Sequence, residues 1–166
     1  MSYLLILRGP LGVGKTTIAR QLQQTIKADY ISIDEILAAN ALDHMDPNEG
    51  CIPEANFRQA INLILPDINQ NLQHHQPVIL DGCFYHLEAI AYLQKSLPFP
   101  SIIVTLQAPL ATCIARDKER QKSFGPDAAK AVYKLVSRFT IGKTIDATKP
   151  QKEIVNDILA LLTTSI

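Results

Sequence analysis

The sequence predicts an α/β fold in which a five-stranded parallel sheet carries helices on both faces. Three observations predict this fold class. Short apolar runs alternate along the chain with longer segments whose apolar residues recur at helical spacing. The first run, residues 3–8, begins with successive apolar side chains, which is typical of a strand buried on both faces. A glycine-rich loop joins this strand to the next helical segment, and strands that alternate with helices form parallel βαβ units.

The predicted elements follow one another in a regular order. The strands cover residues 3–8, 30–33, 77–81, 101–106 and 144–146, of which the last has the weakest pattern. The helices cover residues 15–27, 34–41, 53–74, 86–96, 109–122, 126–138 and 150–163. Pro53 and Pro109 suit first helical turns, whereas Pro66 predicts a kink or a division into two helices. Residues 42–52 are rich in turn formers, so we expect a mobile loop there.

Length and composition indicate a single domain over residues 1–166. With 47% hydrophobic residues the chain does not belong to the disordered class. No apolar run reaches the roughly 18 residues of a membrane span, and the first residues lack the features of a signal peptide. The cysteines form no C-x-x-C pair and have no zinc-site spacing. We expect a reducing, cytoplasmic compartment.

Charge is unevenly distributed although the formal net charge is zero. Residues 28–57 contain seven acids and no Lys or Arg, whereas residues 111–143 contain eight bases and three acids. The zero net charge argues against wholesale binding of nucleic acid. The uneven distribution predicts that the second segment, rather than the first, handles anions.

The segment between the first strand and the first helix reads Gly-Pro-Leu-Gly-Val-Gly-Lys-Thr and matches the phosphate-binding pattern G-x-x-x-x-G-K-[ST], or Walker A loop. Its glycines let backbone N–H groups turn inward and cradle phosphate oxygens, beside the positive end of the helix dipole. Lys15 reaches the β- and γ-phosphates, and the Thr16 hydroxyl suits Mg²⁺. The context of strand, loop and helix predicts the three-layer fold of P-loop nucleoside triphosphatases. The expected nucleotide contacts are Gly9, Leu11, Gly12, Val13, Gly14, Lys15, Thr16 and Thr17.

Two further strand ends carry carboxylates. Asp81 follows the apolar run Val-Ile-Leu and fits the residue that supports Mg²⁺ directly or through water, although an Asp-Gly pair also occurs in ordinary turns. Asp34, with Glu35 beside it, ends the second predicted strand. Asp34 fits a base that accepts the proton of an attacking hydroxyl, with Glu35 as a less favoured candidate. A helix N-cap is the structural alternative for Asp34.

Arg116 and Arg120 are four residues apart in the predicted helix 109–122, so they share one helical face. A lid carrying two guanidinium groups would stabilise charge on a transferring phosphoryl group. The alternative is an exposed helix with ordinary i,i+4 charge pairs. We expect a helical lid over about residues 111–138. His86, beyond the third strand, is a candidate for an acceptor pocket.

The phosphate loop, Asp34, the Asp81-Gly82 pair and the run from Cys113 to Arg120 together resemble the small P-loop kinases. This group includes polynucleotide kinase, chloramphenicol phosphotransferase, adenylylsulfate kinase and zeta-toxin-like enzymes, and the resemblance covers nearly the whole chain. It implies that ATP and Mg²⁺ are the cofactors and that Asp34 contacts or deprotonates the acceptor. It also implies that Arg116 and Arg120 are lid arginines, one of which lies against the adenine. Residues 145–148 resemble the last strand and base-side loop of the family.

Together these features predict an ATP-dependent kinase that moves the γ-phosphate to a hydroxyl of a small molecule. The acidic segment around Asp34, and a stretch over residues 82–96 whose one base is Lys95, predict a neutral or cationic acceptor. A polynucleotide 5′-hydroxyl kinase is an alternative, but it needs a basic channel. A nucleotide-binding regulatory ATPase without an acceptor is another. The lack of an N-K-x-D motif argues against a GTPase.

Overall fold

The five strands form one all-parallel sheet in the computed structural model, which describes residues 2–165. In chain order they are β1 (Leu4–Arg8), β2 (Asp29–Ser32), β3 (Val78–Gly82), β4 (Ser101–Gln107) and β5 (Lys143–Asp146). Their spatial order is β2-β3-β1-β4-β5. The predicted fold class is confirmed, and each strand begins and ends within one residue of its predicted limits.

Seven helices cover the two faces of this sheet within the described part of the chain. They are α1 (Lys15–Ile26), α2 (Ile33–Ala39), α3 (Glu54–Gln73), α4 (Leu87–Lys95), α5 (Leu110–Lys118), α6 (Pro126–Val136) and α7 (Gln151–Ser165). Side chains alternate across β1, so Leu4 and Ile6 pack with α2, α3 and α4, whereas Leu5 and Leu7 pack with α1 and α7. Among residues 2–165, none of the helices combines the length and the apolar composition that crossing a bilayer requires.

The order of the strands positions the site. β1 is central, because β3 pairs with one of its edges and β4 pairs with the other. The chain connections on the two sides of β1 therefore run in opposite directions. The crevice at the carboxyl end of such a strand is where open α/β sheets bind their ligands. The phosphate loop follows β1, and the acids Asp34 and Asp81 follow or end β2 and β3 at the same edge.

Pro66 lies inside one continuous helix, α3, so the predicted division into two helices is wrong. Its neighbours Phe57, Ile61, Ile64 and Ile68 are buried at helical spacing, whereas Pro66 itself is exposed. The backbone hydrogen bond that proline removes is therefore lost on the solvent side, where water can satisfy the freed carbonyl. Burial of the apolar stripe is enough to keep the helix intact.

α5 ends at Lys118, four residues before the predicted limit, so the prediction that Arg116 and Arg120 share one helical face is wrong. The cause is Asp117, which is buried. Its Oδ2 accepts hydrogen bonds from the Ser123 hydroxyl at 2.8 Å and from the backbone N–H groups of Phe124 and Gly125, both at 3.1 Å. These bonds turn the chain away from the helical path.

Candidate active site

The loop between β1 and α1 has a backbone that only glycine adopts without strain. Gly14, the N-cap of α1, has a φ of 104°. Gly12 has a φ of 77°, and a Cβ at this position would lie 2.1 Å from the carbonyl oxygen of Cys113 in α5. Both angles lie in the left-handed region. The loop thus needs glycine for its turn and for its close approach to α5.

A cavity of about 360 Å³ opens beside this loop. Residues 12–17 line one side of it, and the basic side chains of Arg116, Arg120 and Lys149 line the other. Ala147, just after β5, closes one end. Most of the residues expected to contact the nucleotide therefore face one cavity. Gly9 and Leu11 do not line it.

Lys15 supplies a buried cation at the cavity floor, with 7% of its surface exposed. Its Nζ donates to the Pro10 carbonyl at 2.9 Å and lies 3.8 Å from the Cys83 Sγ. Burial works against the charge, but the influence of Cys83, Asp34 and Asp81 outweighs it, so the pKa of Lys15 is raised. The side chain is a charged ammonium at neutral pH, as phosphate binding requires.

Asp34 lies in the first turn of α2, close to Lys15. The helix-cap interpretation of Asp34 is wrong, because the Ser32 hydroxyl accepts the Glu35 N–H at 3.3 Å and caps the helix itself. Burial raises the pKa of Asp34 and nearby Asp81 raises it further, whereas Lys15 and hydrogen bonds from Cys83 lower it. A carboxylate with a raised pKa beside the phosphate cradle has the properties of a general base.

Cys83 completes the surroundings of Asp34. Burial raises the pKa of its thiol to about 12, and the neighbouring Asp34 adds to that rise. The thiol therefore stays protonated at neutral pH. Its sulfur also lies 3.8 Å from the Lys15 Nζ, so Cys83 lies between the lysine and the carboxylate that it influences.

Asp81 is buried at the end of β3, and its Oδ2 accepts a hydrogen bond from the Tyr30 hydroxyl at 2.7 Å. Thr16, in the first turn of α1, is exposed beside them. Burial and the charge of Asp81 raise the pKa of Tyr30, so the phenol remains a donor. Carboxylate and hydroxyl oxygens are the hard ligands that Mg²⁺ prefers. The donor set at Asp81 and Thr16 therefore fits Mg²⁺, which these two residues would hold.

The two arginines differ in how firmly the protein holds them. Arg116 donates to the Val13 carbonyl at 3.0 Å and to the Ala147 carbonyl at 2.9 Å, so it links the phosphate loop to the segment after β5. Arg120 has 47% of its side chain exposed, and its Nη1 lies 3.7 Å from Asp117 Oδ1. That oxygen is buried and has no hydrogen-bond partner within the described residues. Arg116 is already in place, whereas Arg120 is loosely held.

Residues 42–52 form an irregular loop tied down at both ends. Asn56 Nδ2 donates to the Leu42 carbonyl at 2.9 Å. At the other end, the Ile52 N–H donates to the Tyr85 hydroxyl at 3.1 Å, and His86 Nε2 lies 2.7 Å from the Ile52 carbonyl. His86 thus contacts the end of this loop. Its predicted place in an acceptor pocket stays a prediction.

A family model described as an AAA domain matches residues 4–139, most of the chain. The chain belongs to this family. Its fold is that of the small P-loop kinases, as the resemblance predicts. Among curated proteins, no sequence matches this AAA-domain protein significantly.

Solved structures agree with this AAA-domain assignment at the level of fold. A sugar kinase from Janibacter sp. aligns with a TM-score of 0.80 at 14% identity, covering 98% of this chain and 95% of that one. A gluconokinase from Sinorhizobium meliloti aligns with a TM-score of 0.68 at 16% identity, covering 96% and 91%. A shikimate kinase from Aquifex aeolicus aligns with a TM-score of 0.62 at 20% identity, covering 98% and 97%. At these identities the likeness shows the fold alone.

Three side chains of the AAA-domain site were not singled out from the sequence. Tyr30, Cys83 and Asp117 each contact a group that the sequence analysis places in the site or its lid. Tyr30 lies in a predicted strand and Cys83 just after one, and nothing in their neighbours marks them. Asp117 lies next to Arg116, and the sequence does not indicate that the Asp117 side chain is buried.

Proposed function

We propose that the protein is an ATP-dependent kinase that transfers the γ-phosphate to a hydroxyl of a small molecule. The observation that carries this proposal is the position of Asp34 beside Lys15, at the carboxyl edge of the sheet where the phosphate loop lies. A protein that only hydrolyses or senses nucleotide needs the loop and a metal site. A buried carboxylate with a raised pKa on the acceptor side is what a kinase adds.

We assign each residue of the site a role from its position and contacts. The loop amides and Lys15 would hold the phosphates, and Thr16 and Asp81 would hold Mg²⁺, which would supply positive charge to the phosphates. Asp34 orients or deprotonates the acceptor hydroxyl. Arg116 and Arg120 neutralise charge on the transferring group, because guanidinium groups suit phosphoryl oxygens. Arg116 bonds to the Ala147 carbonyl beside the segment after β5, which makes it the better placed of the two to lie against an adenine.

The acceptor that we propose is neutral or cationic. Arg58, the base closest in sequence to the acidic segment, is paired with Glu54 and stacks over the Tyr92 ring. Arg8 is wholly buried, with its donors directed at protein oxygens. Burial raises the pKa of Cys51, and the acids Glu49 and Asp46 raise it further against the opposing influence of Arg138. An anionic acceptor would meet these acids without a free guanidinium from Arg8 or Arg58 to offset them.

The test is a screen for ATP consumption with a panel of hydroxyl compounds at two ionic strengths. The panel contains neutral, cationic and phosphorylated alcohols, and also gluconate, sugars and shikimate, because structural neighbours carry those names. We expect acceptor-dependent turnover that is highest with a neutral or cationic compound. A best substrate that carries phosphate or carboxylate, with turnover that weakens as salt rises, would contradict the proposed acceptor charge. Best turnover with a 5′-hydroxyl oligonucleotide would favour the polynucleotide kinase.

The lid proposal has its own test by hydrogen exchange with and without ATP and Mg²⁺. Because helical lids over phosphates commonly close on binding, we expect exchange to slow within residues 111–130. The largest slowing is expected after Asp117, where Arg120 is loosely held. The segment of α5 that carries Arg116 should change least. Identical exchange in the two states would count against a lid.

A further inference from the structure

Tyr30 is the strongest unused group in the site. It lies on the edge strand β2, whose residues pair with β3 in parallel register, Tyr30 with Ile79 and Ser32 with Asp81. Paired residues in a parallel sheet point to the same face, so Tyr30 and Asp81 both face α1. The Tyr30 side chain therefore reaches along this face to the carboxylate, and its hydroxyl donates to Asp81 Oδ2 at 2.7 Å.

α1 holds the other side of the Tyr30 ring. Thr16 and Arg20 are four residues apart in this helix and so share one face. The Arg20 guanidinium carbon lies 3.8 Å from the centre of the Tyr30 ring, and Thr16 lies one helical turn before Arg20 on the same face. The phenol is thus held between the helix that carries Thr16 and the carboxylate of β3. Thr16 and Asp81 are the two residues that fit Mg²⁺.

We propose that Tyr30 is a positioning residue for the divalent cation, holding Asp81 in the orientation that a metal bound with nucleotide requires. This inference rests on the metal site of the proposed function. Groups that hydrogen-bond to metal ligands fix the orientation of those ligands, and their loss typically costs about 10–100-fold in metal affinity. The Tyr30 hydroxyl does this for Asp81 through its bond to Oδ2.

The test compares Tyr30→Phe with the wild-type protein by calorimetry of ATP binding, with and without Mg²⁺. The variant keeps the ring and its stacking on Arg20 and loses one oxygen. We expect ATP binding without metal to be unchanged and the increase in affinity on adding Mg²⁺ to shrink by about 10-fold. Electron paramagnetic resonance of Mn²⁺ in the nucleotide complex gives a second readout, in which we expect less bound Mn²⁺. In an assay, higher Mg²⁺ should restore kcat.

Tyr92→Phe is the matched control, because the Tyr92 hydroxyl also donates to a side chain, Asn62, but on the exposed surface of α3 and α4. The Tyr92→Phe variant should leave the effect of Mg²⁺ on ATP affinity unchanged. An Mg²⁺ effect in Tyr30→Phe equal to that of the wild type would overturn the proposal. So would an equal loss of ATP affinity with and without metal, since Tyr30 would then support the loop and not the metal. A wild-type protein that binds Mg²⁺ and ATP but phosphorylates no acceptor would refute the kinase function. The calorimetric comparison of Tyr30→Phe with the wild type would still test the role of Tyr30 at the metal site.

Discussion

Replacing Lys15 by alanine is expected to lower the rate of phosphoryl transfer by about 10²–10³-fold while the protein stays folded. The ammonium lines the cavity beside the phosphate loop, where the proposed function has it meet charge that develops on the transferring phosphate. It is buried, donates to the Pro10 carbonyl and lies near Asp34 and Asp81, whereas the cavity's Arg120 is half exposed and loosely held. Steady-state kinetics with saturating ATP and acceptor measures the loss, and circular dichroism checks the fold.

Lys95→Ala is the control for this measurement. Lys95 is exposed at the end of α4, away from the phosphate loop, and its loss should leave turnover unchanged. A folded Lys15→Ala variant with wild-type turnover would show that the phosphates bind elsewhere. A variant that loses its fold would show that the buried ammonium has mainly a structural role as the partner of the surrounding acids.

Asp34→Asn is expected to lower transfer by about 10²–10⁴-fold, because a general base contributes an acceleration of that order. ATP affinity should scarcely change, since the proposed function places Asp34 on the acceptor side and the amide keeps the size of the side chain. Calorimetry and kinetics on the same preparation separate these two effects. An ATP affinity that falls in step with activity would instead make Asp34 part of the metal site. Unchanged hydrolysis and no acceptor dependence would favour the regulatory ATPase.

The pH dependence gives a second signature of Asp34. Burial raises the pKa of this carboxyl, so wild-type activity should fall on the acid side at a higher pH than an exposed aspartate would give. The asparagine variant should lack this acid limb. The raised pKa also means that the folded state binds the proton more tightly than the unfolded chain. This contribution to stability is present at low pH and is lost as pH rises through the raised pKa. The variant should therefore unfold at no lower temperature than the wild type at neutral pH.

The sequence predicts those parts of the fold and site that depend on near neighbours. The phosphate loop is eight consecutive residues between a strand and a helix, and the strands and helices are set by periodic apolar residues. Asp34 and Asp81 were predicted as site residues because parallel strands share one carboxyl edge. Each of these predictions needs only the order of the elements along the chain.

The remaining contacts join residues that are far apart in sequence, and no local pattern indicates them. Tyr30 and Asp81 are 51 positions apart. Arg8 is a clearer case, because arginine is rarely buried, yet this one is fully enclosed. Its partners are the carbonyls of Phe84 and Val136 and the hydroxyl of Thr105, which come from three different segments. Burial lowers the pKa of Arg8 to about 10, so it stays charged at neutral pH. These partners surround Arg8 only when the strands assemble into the sheet.

The absence of a side chain on Gly12 has a mechanical consequence for the lid. The backbone of the phosphate loop at Gly12 lies directly against the backbone of α5 at Cys113, with no space for even a methyl group between them. The start of α5 and the loop must therefore move together as one rigid unit. The hinge of any closing motion lies beyond Asp117, where the chain leaves the helix. We therefore expect lid closure to be the swing of a short flap carrying Arg120, while the wall built by α5 stays fixed.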